Sequence, residues 1–171
     1  LECDGLIVAV GRVATTEGIF DGFEVETDRQ AVIINEYCQT GVPNIYAIGD
    51  CTKGSVQLAH AASAQGMNVI SHIVGEAPAV AADIIPSCIY TDPEIAMVGL
   101  TAEVAKEKGI AVKTGKYLTA GNAKSMLSGQ ERGFLKDVFN AENDEIIGAQ
   151  LMCARATDMI GELTTAIVNK L

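Results

Sequence analysis

The sequence of 171 residues has few positive charges and no long uninterrupted apolar segment. Its 12 Lys and Arg residues are outnumbered by 22 Asp and Glu residues, which gives a formal net charge of −10 at pH 7. Such a charge argues against nucleic acid or an anionic membrane surface as a partner. No apolar run approaches the roughly 20 residues that cross a bilayer, because Asp83 and Pro86 interrupt the run over 77–90. We therefore expect neither a nucleic-acid partner nor a membrane span.

The chain also lacks the residue groupings that hold metals or build disulfide frameworks. No CxxC or other close pair occurs among the five cysteines: Cys3, Cys38, Cys51, Cys88 and Cys153. An odd, scattered set is typical of reduced thiols in a cytosolic protein. The only histidines, His60 and His72, have no cysteine or carboxylate at the spacing of zinc ligands. The sequence therefore predicts no metal site and a cytoplasmic location.

The first half of the chain has the pattern of an α/β fold. Three apolar segments predict strands: Leu6–Val10, Ala31–Asn35 and Ile45–Ile48. The first is typical of a strand buried on both faces, as in a parallel sheet. Residues 57–74 predict a helix, with Gly75 as its stop. One face of that helix collects residues at spacings of three and four: Leu58, Ala62, Gln65, Val69 and Ile73.

The second half predicts an α+β domain in which helices flank an antiparallel sheet. Strands are expected over 87–90, 110–117, 133–140 and 146–153, and the polar turn 140–145 makes the last two a hairpin. Thr101 is a candidate cap for a short helix that ends at Gly109. A closing helix over 157–171 carries one apolar stripe: Ile160, Leu163, Ile167 and Leu171.

One short motif predicts a ligand site. The apolar segment Ile45–Ile48 ends abruptly in Gly49 and Asp50, and the alanine-rich helix begins soon afterwards. This arrangement puts a carboxylate at the mouth of a sheet beside a helix N-terminus, where polar ligands of α/β folds bind. Taken alone, the Gly-Asp pair is equally well explained as a turn that ends a strand.

Longer stretches carry a family resemblance. They are Asn44–Cys51, Leu58–Ala62, Ile85–Ala96, Gly133–Lys136, Ile147–Gln150 and Ala156–Glu162. In this order they resemble the flavin-dependent pyridine nucleotide-disulfide oxidoreductases, over essentially the whole chain. The Tyr-Thr-x-Pro-Glu-Ile-Ala form over 90–96 is closest to dihydrolipoamide dehydrogenases. Two positions depart from the family: Val13-Ala14-Thr15 lacks the usual proline after Gly-Arg, and Arg155 replaces a proline before the interface helix.

The resemblance implies a division into domains. Residues 1–12 are expected to be the tail of the NAD-binding domain, and 13–82 the C-terminal part of the FAD-binding domain. Residues 83–171 are expected to form the dimerisation domain, truncated at its C-terminus. The expected fold is therefore an α+β dimerisation domain preceded by an incomplete α/β FAD-binding portion, in a C-terminal fragment of a longer enzyme. Without the remaining FAD-domain strands, the first eighty residues are expected to be looser than the rest.

The resemblance also implies site residues for FAD. Gly49 would let the backbone approach the cofactor closely, and Asp50 would hydrogen-bond the ribityl chain. Leu58, Ala59, His60 and Ala61 would place helix N-terminal amides beside the pyrimidine edge of the flavin, where a reduced flavin gathers negative charge. His60 has no partner carboxylate apparent in the sequence, so a scaffold role is preferred over that of a base. Glu94 is better explained as a solvated or capping carboxylate than as a catalytic group.

The reaction implied for the parent protein is oxidation of dihydrolipoamide with NAD through FAD and a redox disulfide. The chain has no GxGxxG, no CxxxxC pair and no His-Pro segment after the interface helix, so we expect no catalytic residue in it and no activity of it alone. The expected partner is a second copy, bound through 83–171, and the parent would join a 2-oxo acid dehydrogenase or glycine cleavage complex. The alternatives are a mercuric or glutathione reductase-like enzyme, or a non-catalytic dimerisation module.

Overall fold

The computed structural model describes residues 2–22, 24–82, 84–130 and 132–171. The chain divides into two compact units, Leu1–Val80 and Ala81–Leu171. Asp83, the predicted start of the dimerisation domain, lies outside the described residues. None of the helices within the described ranges is both long and apolar enough to cross a membrane.

The first unit contains one long helix, α1 (Ala59–Val74), and a small hairpin of β1 (Thr27–Asp28) and β2 (Ala31–Val32). The helix confirms the prediction, and Gly75 ends it in the left-handed conformation with φ 79°. A residue with a Cβ is strained there, which explains the glycine. The residues that share one predicted face of the helix differ in burial, because Val69 is buried whereas Ile73 is 57% exposed.

Two strands predicted in the first unit are wrong. Leu6–Val10 forms no strand, and Ile7 is 93% exposed. Ile45–Ile48 contributes only an isolated antiparallel bridge between Tyr46 and Gln39. The third, Ala31–Asn35, is a strand only at Ala31 and Val32. A strand forms only where it pairs with a neighbouring strand. In the described part of this unit, these apolar segments have few or no such neighbours.

The second unit is built on a five-stranded antiparallel sheet in the order β3-β4-β7-β6-β5. Its strands are β3 (Ser87–Ile89), β4 (Glu94–Gly99), β5 (Val112–Leu118), β6 (Phe134–Asn140) and β7 (Ile146–Cys153). Its helices are α2 (Ala102–Glu107), α3 (Ala123–Leu127) and α4 (Ala156–Val168). The predicted hairpin is confirmed as β6–β7, and Thr101 caps α2 by accepting a hydrogen bond from the Val104 N–H. The expected class, an antiparallel sheet with flanking helices, is confirmed.

Helix α4 covers one face of this sheet. The core beneath it is formed by Ala96, Val98, Ala149, Leu151, Cys153, Ala156 and Ile160. Leu163 and Ile167 pack against that core, which confirms most of the predicted stripe. Leu171 is 73% exposed and does not belong to it, because the helix ends at Val168.

Strand β4 was not predicted from the sequence, and its first residue explains how α4 begins. The Glu94 carboxylate accepts hydrogen bonds from the Thr157 N–H at 3.0 Å and from the Thr157 hydroxyl at 2.7 Å. Glu94, in strand β4, therefore caps the first turn of helix α4, and its negative charge lies at the positive end of that helix. Arg155, just before the helix, has φ 62°, a value that proline cannot adopt. The chain therefore enters α4 through a backbone conformation that a proline at position 155 could not adopt.

Burial perturbs three ionisable groups of the second unit, two thiols and one carboxyl. Burial raises the pKa of the Cys88 and Cys153 thiols, and the nearby Glu94 charge raises both further. Burial likewise raises the pKa of Asp137, a partly buried residue of β6. Its Oδ1 atom is buried without a hydrogen-bond partner. An ionised carboxylate with such an oxygen opposes folding.

Replacing Glu94 tests its capping role. We expect Glu94→Ala to lower the free energy of unfolding by about 1–2 kcal/mol, since two hydrogen bonds and a favourable helix-end charge are lost. Chemical denaturation followed by circular dichroism measures this. Glu142→Ala removes the same charge from the exposed β6–β7 turn and should change stability by less than about 0.5 kcal/mol. Equal losses in the two variants would contradict the capping role.

Replacing Asp137 tests the cost of its buried oxygen. A folded-state pKa above the unfolded value means that stability falls as pH rises through that range, and that the full penalty is present at neutral pH. We therefore expect Asp137→Asn to stabilise the chain by about 1 kcal/mol at pH 7, near the low end for a buried polar group because the residue is only partly buried. The gain should vanish below the ordinary aspartate pKa of about 3.9. A gain that is independent of pH would overturn this account.

Candidate functional site

Gly49 and Asp50 lie in a single turn of 3-10 helix, Gly49–Cys51, that follows the extended residue Ile48. Gly49 has φ 74°, and a Cβ added to it would lie 3.0 Å from the Cβ of Ala62 in α1. Both the backbone conformation and the contact with the helix therefore require glycine. The sequence motif thus marks a turn packed tightly on α1 rather than the end of a sheet strand.

Side chains hold both polar groups of Gly49. Its N–H donates to Oε1 of Gln65 at 2.7 Å, and its carbonyl accepts from the Thr52 hydroxyl at 2.7 Å. Thr52 is 5% exposed, and Gln65 is half-buried on the helix face that it shares with Ala62 and Val69. The turn that carries Asp50 is therefore anchored on both sides by buried or half-buried hydrogen bonds.

The Asp50 carboxylate itself remains open to solvent, with 55% of its side chain exposed. Its Oδ2 atom lies 4.0 Å from a guanidinium nitrogen of Arg12, whose other terminal nitrogen donates to the carbonyl of Gln57 at 2.8 Å. An exposed ion pair at this distance contributes little stability. Asp50 can therefore exchange the contact for hydroxyl groups of a ligand, which a carboxylate accepts well.

The N-terminus of α1 is the second element of the site. Leu58 occupies the N-cap position, its side chain forms no capping hydrogen bond, and the first turn contains no acidic residue. Ala59 and His60 are exposed, whereas Ala61 is buried. The positive end of the helix dipole is therefore not neutralised by an acidic side chain of its own first turn, and it favours an electron-rich ligand edge.

The structure brings Gly49 against α1 through Ala62 and Gln65, and Asp50 follows it in the same turn. The sequence pattern assigns no role to Thr52, Ser55 or Arg12, because their hydrogen bonds depend on side-chain orientation or join residues far apart in the chain. Gln65 appeared only as a member of the helix face. Within the described ranges, no group of three or more His, Cys, Asp or Glu residues could hold a metal ion.

The second unit has a concavity of its own, a cavity of about 500 Å³. It lies against the start of α4, where Cys153, Arg155 and Asp158 line it together with Lys124 and Glu162. The six residues predicted to contact a cofactor are not among those that line it. The cavity is therefore separate from the Gly49–Asp50 turn.

Comparisons with known proteins identify both parts of the chain. Residues 85–171 match the pyridine nucleotide-disulphide oxidoreductase dimerisation domain, and residues 1–66 match the pyridine nucleotide-disulphide oxidoreductase domain. The dihydrolipoyl dehydrogenase of Bacillus subtilis is 39% identical over 165 residues, which cover 95% of this chain and 35% of that protein. The dihydrolipoyl dehydrogenase of Cupriavidus necator is 37% identical over 172 residues, 99% of this chain and 36% of that protein. The chain thus spans about a third of the length of the curated relatives it matches.

Solved structures agree in fold. LpdA from Mycobacterium tuberculosis superimposes with a TM-score of 0.83 and 26% identity, covering 93% of this chain and 35% of that one. The HOCl-induced flavoprotein disulfide reductase RclA from Escherichia coli gives a TM-score of 0.79 with 25% identity, over 93% of this chain and 37% of that one. The resemblance noted in the sequence is therefore confirmed, and the chain belongs to the pyridine nucleotide-disulphide oxidoreductases.

Proposed function

We propose that this chain supplies one wall of the FAD site and the dimerisation domain of a flavin-dependent disulfide oxidoreductase. The observation that carries the proposal is the Gly49–Asp50 turn, which is anchored to α1 while its carboxylate stays exposed. Residues 1–12 would belong to the NAD-binding domain, 13–82 to the FAD-binding domain and 83–171 to the dimerisation domain. A second copy of the chain would be bound through the last of these.

The residues of the first unit fit a flavin cofactor. Asp50 would accept hydrogen bonds from ribityl hydroxyls, and the absence of a Cβ at Gly49 keeps the turn close to α1. Leu58, Ala59, His60 and Ala61 would present the positive helix end to the pyrimidine edge of the flavin. When bound, FAD supplies the electron-accepting chemistry, while this chain binds and orients it. His60 is exposed and serves in this proposal as a scaffold residue.

The reaction proposed for the whole protein is oxidation of dihydrolipoamide, with electrons passing through a redox disulfide and FAD to NAD. The names of the curated relatives support it. The whole protein would then serve in a 2-oxo acid dehydrogenase or glycine cleavage complex. It would also be cytoplasmic, a location that the five unpaired cysteines favour. The likeness to RclA keeps a different disulfide reductase as the second candidate. A dimerisation module that binds no flavin is the third.

Riboflavin binding to a ¹⁵N-labelled chain tests the flavin proposal, because NMR detects the weak affinity expected of a partial site. We expect shift changes at Gly49, Asp50 and the first turn of α1, and none in β5 or β6. Asp50→Ala should weaken riboflavin binding about fivefold, since one charge-assisted hydrogen bond, about 1 kcal/mol at an exposed site, is lost.

Lumiflavin is the matched ligand control, because it has the flavin ring without the ribityl chain. Asp50→Ala should leave lumiflavin binding unchanged. Shift changes confined to the second unit, or no change at millimolar riboflavin, would reject the proposed site. Equal weakening of both ligands would reject the ribityl role of Asp50.

The solution mass tests the second half of the proposal. Light scattering, with flavin absorbance followed across the same peak, should give a colourless dimer, because 83–171 would form the interface and the partial FAD site would not retain the cofactor. A colourless monomer would contradict dimerisation through this chain. A yellow peak would mean that the chain holds more of the FAD site than we propose.

A further inference from the structure

Four residues form a closed ring of hydrogen bonds that begins and ends on the peptide groups of Gly49. The Gly49 N–H donates to Gln65 Oε1 at 2.7 Å, and Gln65 Nε2 donates to the Ser55 hydroxyl at 2.8 Å. The hydroxyl oxygens of Ser55 and Thr52 are 2.5 Å apart, and Thr52 Oγ1 donates to the Gly49 carbonyl at 2.7 Å. The ring thus links the turn that carries Asp50, the loop after it and the middle of α1.

Counting protons fixes the direction of every bond in the ring. Thr52 has one hydroxyl proton, and the Gly49 carbonyl, which has none to give, must receive it. Ser55 is therefore the donor to Thr52, and its own lone pairs accept from the Gln65 amide. Each group donates once and accepts once around the ring. Chains of this kind polarise one another and hold their members more firmly than separate bonds would.

At neutral pH an amide fits the Gln65 position in this ring, whereas an ionised carboxylate does not. Its oxygen accepts from Gly49 while its nitrogen donates to Ser55, so it needs one acceptor and one donor on the same planar group. An ionised glutamate has two acceptors and would have to take the Ser55 proton. The two hydroxyl protons would then have to serve three oxygen–oxygen contacts, so either the contact between Ser55 and Thr52 or the contact between Thr52 and the Gly49 carbonyl would lack a proton.

We propose that Gln65 is a positioning residue that sets the Asp50 carboxylate for the ribityl chain, an inference that rests on the proposed flavin site. Asp50 follows Gly49 directly, so the orientation of the Gly49 peptide determines where the carboxylate lies. The neighbouring contact of Gly49 with Ala62 fixes the distance from the helix, and the ring fixes the rotation of the peptide about that contact. Gln65 acts through the backbone and does not touch the ligand.

Gln65→Glu turns the position into a pH-dependent switch and so tests the inference. At pH 7 the introduced carboxylate is ionised, and we expect the Gly49 amide protection factor to fall about tenfold and riboflavin affinity to fall several-fold. Near pH 4 a protonated carboxyl can again donate to Ser55, and both properties should return towards wild type. Each is expressed as a ratio of wild type to variant at the same pH, because the neighbouring ionisable residues Asp50, Cys51, Lys53 and His60 are present in both proteins.

Two further variants separate positioning from general effects. Met67→Glu adds the same charge on the exposed side of α1 and should change neither property. Combining Gln65→Glu with Ser55→Ala removes the clash between oxygens, so the pH dependence should disappear. Hydrogen exchange in β6 and β7 of the same samples reports whether the second unit remains folded, and circular dichroism of α1 reports on the first.

The outcomes distinguish this inference from the proposed function. If Asp50→Ala weakens riboflavin binding but Gln65→Glu has a pH-independent effect or none, the positioning role is wrong and the flavin site stands. If Gly49 protection responds to pH as expected but riboflavin does not bind at all, the ring is real and the flavin proposal fails. A similar response in Met67→Glu would reduce the effect to charge alone and overturn the inference.

Discussion

The requirement that every backbone N–H and C=O find a partner governs both units of this protein, and each meets it differently. In the second unit, four antiparallel strand pairings provide most of the partners. Among its described residues, the first unit has only four in strands outside isolated bridges, and side-chain amides bond several of the remaining backbone groups. Asn35 accepts from the N–H groups of Tyr37 and Gln39, and Asn68 pairs with both polar groups of Val80. Gln65 accepts from the Gly49 N–H.

This difference is also visible in the surroundings of two carboxylates, Glu94 and Asp50. Glu94 begins a strand inside the sheet, and both of its hydrogen bonds go to Thr157 at the start of α4. It is therefore occupied by structure. Asp50 follows a turn whose backbone is already satisfied by Gln65 and Thr52, and its carboxylate has only a long contact with Arg12. A side chain that the fold does not need remains available to a ligand.

The sequence predicts local features of this chain better than features that depend on distant pairing. Helix α1, the β6–β7 hairpin and α4 follow from periodicity and end signals within each segment. Leu6–Val10 has the composition of a buried strand, but its apolar residues are exposed because composition cannot supply a neighbouring strand. Strand β4 does not follow from the sequence pattern, since its first residue, Glu94, comes directly after a proline, which is typical of a turn. At the site, the motif shows Gly49 and Asp50. The hydrogen-bond ring through Gln65 is not visible in it, because the ring joins residues up to 16 positions apart.

The cysteines indicate what share of a disulfide oxidoreductase's chemistry this chain can carry. Burial raises the pKa of Cys38, Cys88 and Cys153, and the Glu94 charge adds to the effect on the last two. Their thiols therefore stay protonated at neutral pH and are poor nucleophiles. The Cys51 thiol, beside Asp50, donates to the Ile48 carbonyl and so helps to close the turn. Thiols used in this way support packing and backbone satisfaction, which is consistent with the proposal that this chain holds a cofactor and a partner.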